Sequence, residues 1–146
     1  MQHKTVGMEL VGTANALRRA LFEDVWRDFC GDGPTGLQQW FLLYVFEHDD
    51  REVYQKDLES VFQIRRSTAT EILKSMERKG LILRVPSALD RRSKRIHLTA
   101  KACGICEENR RKLVAAEAMM CRGLTPEQLE GFVEILRQIQ ANIHSF

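Results

Sequence analysis

The sequence predicts a mainly α-helical protein with one two-stranded β hairpin set into its middle. Three observations predict this class. Apolar residues recur at threes and fours along most of the 146 residues, which is the spacing of a helix face. Two short stretches, 81–85 and 95–98, read instead as strands with a charged loop between them. Stop signals at Gly31-Asp32-Gly33-Pro34, Lys79-Gly80 and Gly123 punctuate the pattern.

The elements follow in order. Residues 6–29 carry a stripe of Leu10, Ala14, Leu17, Leu21, Val25 and Phe29, widened by Phe22 and Trp26. A helix this long with so wide an apolar face needs a large partner, either its own domain or a second subunit. Thr35 caps the next helix, with Gln38 as its capping-box partner. Its residues 40–46 are all apolar, so it should be buried nearly all round. After a polar turn, Glu52-Val53-Tyr54 suits a very short strand, and 55–61 suits a short helix with Leu58 and Val61 inward.

Residues 66–79 form the next helix, with Ala69, Ile72, Leu73 and Met76 on one face. Ser67, Thr70, Glu71, Lys74 and Arg78 share the other, a surface of hydroxyls and cations suited to lying along a polyanion. Gly80 takes the left-handed position that ends it. The loop PSALDRRSK between the two strands is too long and too charged for a two-residue turn. Thr99 caps a long helix over 100–121, whose inward residues include Cys103, Cys106, Leu113 and some of Ala116, Met119 and Met120. Thr125-Pro126-Glu127-Gln128 starts a last helix with a stripe of Leu129, Phe132, Val133, Leu136, Ile139 and Ile143.

A short helix, a turn and a second helix with a basic face make a helix-turn-helix, and the hairpin makes it winged. Charge agrees. The overall net charge of +2 conceals a segment, 65–101, with eleven cations and three acids, net +8, on an acidic remainder. That is the footprint expected for a nucleic-acid backbone. The second helix would enter the major groove, and Arg91, Arg92, Lys94 and Arg95 of the loop would reach adjacent phosphates or the minor groove.

Other classes lack their signatures. No stretch approaches the roughly 20 apolar residues of a membrane span, and the N-terminus has no apolar signal core, so a cytoplasmic protein is expected. No Ser-His-Asp set, histidine cluster or phosphate-cradling glycine loop points to an enzyme, a metal or a cofactor. Cys103 and Cys106 form a CxxC pair without a second pair.

With these elements in place, the chain resembles the MarR family of bacterial transcription regulators. The resemblance covers nearly the whole chain and is most specific over LKSMERKGLILRVPSALDRRSKRIHLTAKA, residues 73–102. It implies one domain over 1–146, with dimerisation helices at 5–30 and 100–146 around a winged helix-turn-helix at 35–99. It implies a homodimer that represses or activates transcription from double-stranded DNA carrying an inverted repeat. The DNA-facing set would be Arg65, Arg66, Ser67, Thr68, Thr70, Lys74, Ser87, Arg91, Arg92, Lys94 and Arg95. Asp90 and Arg92 match an Asp-x-Arg wing motif, in which Asp90 shapes the wing through an ion pair. A small aromatic or anionic effector is also implied, and Phe22, Trp26, Trp40, Phe41 and Tyr44 are the residues that would line its pocket, unless they are simply core.

The chain departs from the family at three points, of which Ala102 in place of a frequent Gly has little consequence. Tyr54 stands where a Ser or Thr cap is common, and Arg65 where an Asp is common. A box made by Thr68 and Glu71 would start the basic helix later and leave Arg65 and Arg66 in the turn as phosphate anchors. Two rival functions stand beside DNA binding. One is a winged helix that docks an acidic protein. The other is a thiol switch acting through Cys30, Cys103, Cys106 or Cys121 on the same DNA function.

Overall fold

The structure is a computed structural model and describes residues 5–26 and 33–146. Phe29, Cys30 and the Gly31-Asp32 half of the expected break lie outside those residues. The chain divides into two compact units, Met1–Lys112 and Leu113–Phe146.

The first unit opens with α1, Val6–Ala20, capped by Thr5, whose hydroxyl accepts from the Met8 amide at 3.3 Å. No α1 residue is buried. The chain then widens into a π-helical turn, Leu21–Val25, closed by the Trp26 amide donating to the Leu21 carbonyl at 2.9 Å. The wider step puts residues four and five apart on one face, and Leu21, Val25 and Trp26 are all buried. The single helix expected over 6–29 is therefore interrupted, and Phe22 falls off the stripe at 58% exposure.

Helix α2, Gly36–Glu47, starts where expected, with the Thr35 amide donating to Gln38 Oε1 at 3.1 Å. Phe41, Leu42 and Val45 enter the core, and the burial extends to Gln38 and Gln39. Gln38 is a clamp. Its Oε1 also accepts from Lys79 Nζ at 2.9 Å, and its Nε2 donates to Ser75 Oγ at 3.1 Å. Asp57 caps α3, Gln55–Phe62, by accepting from the Tyr54 amide at 2.8 Å. Leu58 is fully buried, but Val61 is exposed. Phe62, one position on, turns inward and meets Phe41 at 5.2 Å between ring centroids. A helix turn of 3.6 residues allows either choice, and the larger ring took the inner position.

Gln63 ends α3 in the left-handed region at φ +52°. Arg65 is extended, its carbonyl accepts from the Ala69 amide at 3.0 Å, and α4 runs Arg66–Arg78. The later start offered by Thr68 and Glu71 is not used, and Glu71 lies 3.5 Å from Lys74 instead. Ala69, Leu73 and Met76 are buried and Ile72 partly so. Gly80, at φ +68°, turns the chain into β1, Ile82–Pro86. It pairs antiparallel with β2, Lys94–Leu98, from Ile82↔Leu98 to Pro86↔Lys94. The short strand expected at 52–54 is a single bridge, Tyr54↔Arg95, beside the Ile96 amide donating to the Val53 carbonyl at 2.8 Å.

Helix α5, Ala100–Met120, is capped by Thr99, whose hydroxyl accepts from the Ala102 amide at 3.3 Å and donates to the Gly80 carbonyl at 2.7 Å. Ala102 and Cys106 complete the core of the first unit.

The second unit holds the end of α5, a turn at Gly123 with φ +82°, and α6, Pro126–Ile143. Thr125 and Gln128 form the expected reciprocal cap, at 2.9 and 3.2 Å. No α6 residue is buried in the single chain. Met119 and Met120, expected among the inward residues, are exposed, as are Phe132, Val133 and Ile143. No helix among the described residues is long and apolar enough to cross a membrane.

Candidate nucleic-acid interface

The outer face of α4 is built as its sequence implies. Arg65, Arg66, Ser67, Thr68 and Lys74 are exposed. No side chain caps the helix at Arg65, so its first-turn amides are open to an anionic acceptor. Thr70 is different. Its hydroxyl donates to the Arg66 carbonyl at 2.9 Å and accepts from Gln55 Nε2 at 2.9 Å. It is therefore held in one rotamer with one lone pair to spare. Lys74 is paired with exposed Glu71, a contact worth less than about 1 kcal/mol that a phosphate can displace.

In the wing, Asp90 acts through hydrogen bonds, not through the expected ion pair. Its Oδ1 accepts from the Arg92 amide at 2.9 Å, its Oδ2 from Ser93 Oγ at 3.2 Å, and its carbonyl from the Ser93 amide at 3.1 Å. Arg91 and Arg92 are exposed on the turn so formed, next to Leu89 at 90% exposure. Lys94 is exposed too, whereas Arg95 leans back to Glu52, with 3.7 Å between Arg95 Nη1 and Glu52 Oε1. Ser87 departs from expectation. It is 3% exposed, and its Oγ donates to Glu52 Oε2 at 2.8 Å and accepts from the Leu89 amide at 3.1 Å. A buried hydroxyl so committed is wing scaffold, out of reach of DNA.

Helix and wing border one open cleft of ≈ 600 Å³, whose walls include Arg66 and Thr70 from α4 and Arg92 and Lys94 from the wing. Gln55, Lys56 and Arg84 join them there. Sequence reasoning missed these three. Gln55 and Lys56 open α3, and what marks them is that this first turn abuts α4, where Gln55 Nε2 donates to Thr70 Oγ1. Arg84 is tied to Glu77 at 3.6 Å across the strand–helix junction. The arrangement offers cations and amides to phosphates and a short polar helix face to base edges.

The sequence model of the MarR family matches residues 33–93. The transcription regulator MarR from Oenococcus oeni PSU-1 is similar in structure over 94% of this chain and 99% of its own, at 30% identity and a TM-score of 0.85. The chain belongs to the MarR family. Two further structures share the fold. S. aureus MepR, solved with DNA, matches with a TM-score of 0.82 and 20% identity over 98% of this chain and 99% of its own. A Listeria monocytogenes protein described as a MarR-family regulator, complexed with a 26mer DNA, matches with a TM-score of 0.76 and 20% identity over 96% of this chain and 89% of its own.

In this MarR-family chain the five aromatics expected around an effector have different surroundings. Phe41 is core, Trp26 packs edge-on against Trp40 at 5.7 Å, Tyr44 stacks on His48 at 4.1 Å, and Phe22 is exposed. A cleft of ≈ 510 Å³ lies elsewhere in the first unit, between the end of α2, the 48–53 turn, β2 and Cys103. Burial pushes the Cys106 thiol up to about 12. Burial first, then Glu117, pushes Cys121 up as well. Raised thiols of this kind are poor nucleophiles. Among the described residues, no three His, Cys, Asp or Glu side chains come together where they could hold a metal ion.

Proposed function

We propose that this MarR-family regulator is a homodimer that binds an inverted repeat in double-stranded DNA. In each subunit α4 reads the major groove, and the wing tip reaches the flanking backbone. The observation that carries this reading is the shared cleft, with the Arg66–Thr70 face of α4 on one wall and Arg92 and Lys94 on another. Arg65, Arg66, Arg91, Arg92, Lys94 and Lys56 serve as phosphate contacts, and Ser67, Thr68, Thr70, Gln55 and Lys74 face the bases. The MepR and Listeria structures, each a complex with DNA on the same fold, support the same partner.

The second subunit is inferred from apolar surface. Val6, Met8 and Val11 of α1 are exposed, and so are Val114, Met119, Phe132, Val133 and Ile143 of α5 and α6. Apolar surface of this extent, on α1 and α6 with no buried residue and on the end of α5, calls for a partner. For a small effector we propose the ≈ 510 Å³ cleft between the end of α2, the 48–53 turn and β2. The test is selection of bound duplexes from a random pool. The expected product is an inverted repeat with half-sites about one turn, roughly 10 bp, apart. Recovery of unrelated duplexes, or of none at low salt, sinks the reading.

A further inference from the structure

The wing has little of its own to stand on. It is a two-stranded hairpin, and an isolated hairpin of that kind is only marginally stable in water. Its base is held by Ile82 and Ile96 in the core and by the Arg84–Glu77 pair, and further attachment runs through the 52–54 segment. There Tyr54 bridges Arg95, and the Val53 carbonyl receives the Ile96 amide. One carboxylate gathers the remaining links. Glu52 Oε2 accepts from the Tyr54 hydroxyl and from Ser87 Oγ, and Glu52 Oε1 faces Arg95 Nη1 at 3.7 Å. The two hydroxyl oxygens lie 2.8 Å apart. Ser87 passes the connection on to the loop, since its Oγ accepts from the Leu89 amide and its own amide donates to the Ser93 carbonyl at 2.9 Å.

We propose that Glu52 is a positioning residue for DNA binding: its carboxylate, shared by Tyr54, Ser87 and Arg95, fixes the root of the wing so that Arg91 and Arg92 meet the backbone while α4 is in the groove. This rests on the DNA reading above. Glu52 itself touches no DNA. The hydroxyls of Tyr54 and Ser87 hold its carboxyl below the usual range, so it is ionised at neutral pH, and the carboxylate in turn pushes the Tyr54 phenol up.

The proposal makes a prediction opposite in sign to simple electrostatics. Glu52 is an acid close to a surface that meets a polyanion. On charge alone, Glu52→Gln tightens binding, because it removes a repulsion. A positioning role requires the reverse. The experiment measures duplex affinity against salt for wild type, Glu52→Gln and Tyr54→Phe, with amide exchange over residues 87–93 in the free proteins. Tyr54→Phe leaves the charge unchanged and removes one donor to the carboxylate.

The expected result is a loss of roughly tenfold in affinity for both variants, with a salt slope lower by about one to two as the wing cations disengage. Exchange at Leu89 and Ser93 should quicken, while amides in α4 keep their protection. A folded Glu52→Gln protein that binds as well as wild type or better overturns the proposal. So does unchanged exchange in the wing with both variants folded. Should wild type bind no duplex, the DNA reading fails, and exchange alone decides whether Glu52 holds the wing.

Discussion

The α3–α4–wing region and the terminal α6 helix are built on opposite principles. In the first, each helix has a buried face of its own: Leu58 in α3, and Ala69, Leu73 and Met76 in α4, with Leu58, Leu73 and Met76 sharing one core with Phe41 and Leu42. Polar clamps add to this, among them Gln38 with Lys79 and Ser75, and Glu52 with Tyr54 and Ser87. In α6 no residue is buried, and order within the helix rests on its caps and backbone bonds. The apolar spacing of α4 and α6 looks alike in sequence. What differs is whether the same chain supplies the covering surface. An amphipathic stripe predicts that a face will be buried, and it is silent on whose atoms do the burying.

The largest effect expected from this contrast is in the core. Leu73 is fully buried between α4 and its neighbours. Leu73→Ala should cost about 2–5 kcal/mol of unfolding free energy, from lost transfer plus the cavity left behind. Denaturant titration measures it. A loss under about 1 kcal/mol would mean that the closed core ascribed to this region does not carry it.

Next is α6. Phe132 is exposed at 52% in the single chain, so Phe132→Asp should scarcely change the stability of the first unit. It should instead weaken self-association by about 2–4 kcal/mol, the range of an aromatic anchor at an interface. Sedimentation across a concentration series reads this directly. An unchanged dimer, or a monomeric wild type, breaks the comparison.

How much of this was legible beforehand follows the same division. Helix α4, the Gly80 stop, the hairpin and the Thr125 cap were readable because each depends on neighbours in sequence. The start of α4 at 66 was readable only as one of two possible starts. It is set by Gln63 in a left-handed conformation that a glutamine does not advertise, while Thr68 and Glu71 offered a local alternative that the tertiary packing overrode. Ser87 was misplaced because a serine in a basic loop looks like a phosphate contact. Only the approach of Glu52, 35 positions away, shows that its hydroxyl is used internally. The choice of Phe62 over Val61 was likewise decided by packing against a distant segment, at Phe41.

A smaller effect separates affinity from specificity inside the first region. Arg92→Ala should lower the salt slope of duplex binding by about one, and should do so on any sequence. Thr70→Ala should leave the slope unchanged and alter sequence preference, since it releases both the Thr70 and Gln55 side chains. Equal losses on all duplexes from both variants would mean that α4 supplies charge and no readout.

The smallest effect tests the claim that α6 stands on local bonds. Its own backbone first, then the Thr125 hydroxyl, holds the Glu127 carboxyl below the usual range. A carboxylate lowered in the folded state adds stability that is fully present above its unfolded value. That stability is lost as pH falls through the folded value. Helix α6 should therefore fray as pH is lowered through the ordinary carboxylate range and below it, also because the negative charge at its N-terminus disappears. Thr125→Ala should cost about 1 kcal/mol of local stability as a lost cap, and should shrink the acid-dependent part by removing one of Glu127's partners. Amide exchange in the first turns of α6, followed against pH in both proteins, measures the two together. A first turn equally protected at both ends of that range would show that another surface, and not its cap, keeps the helix in place.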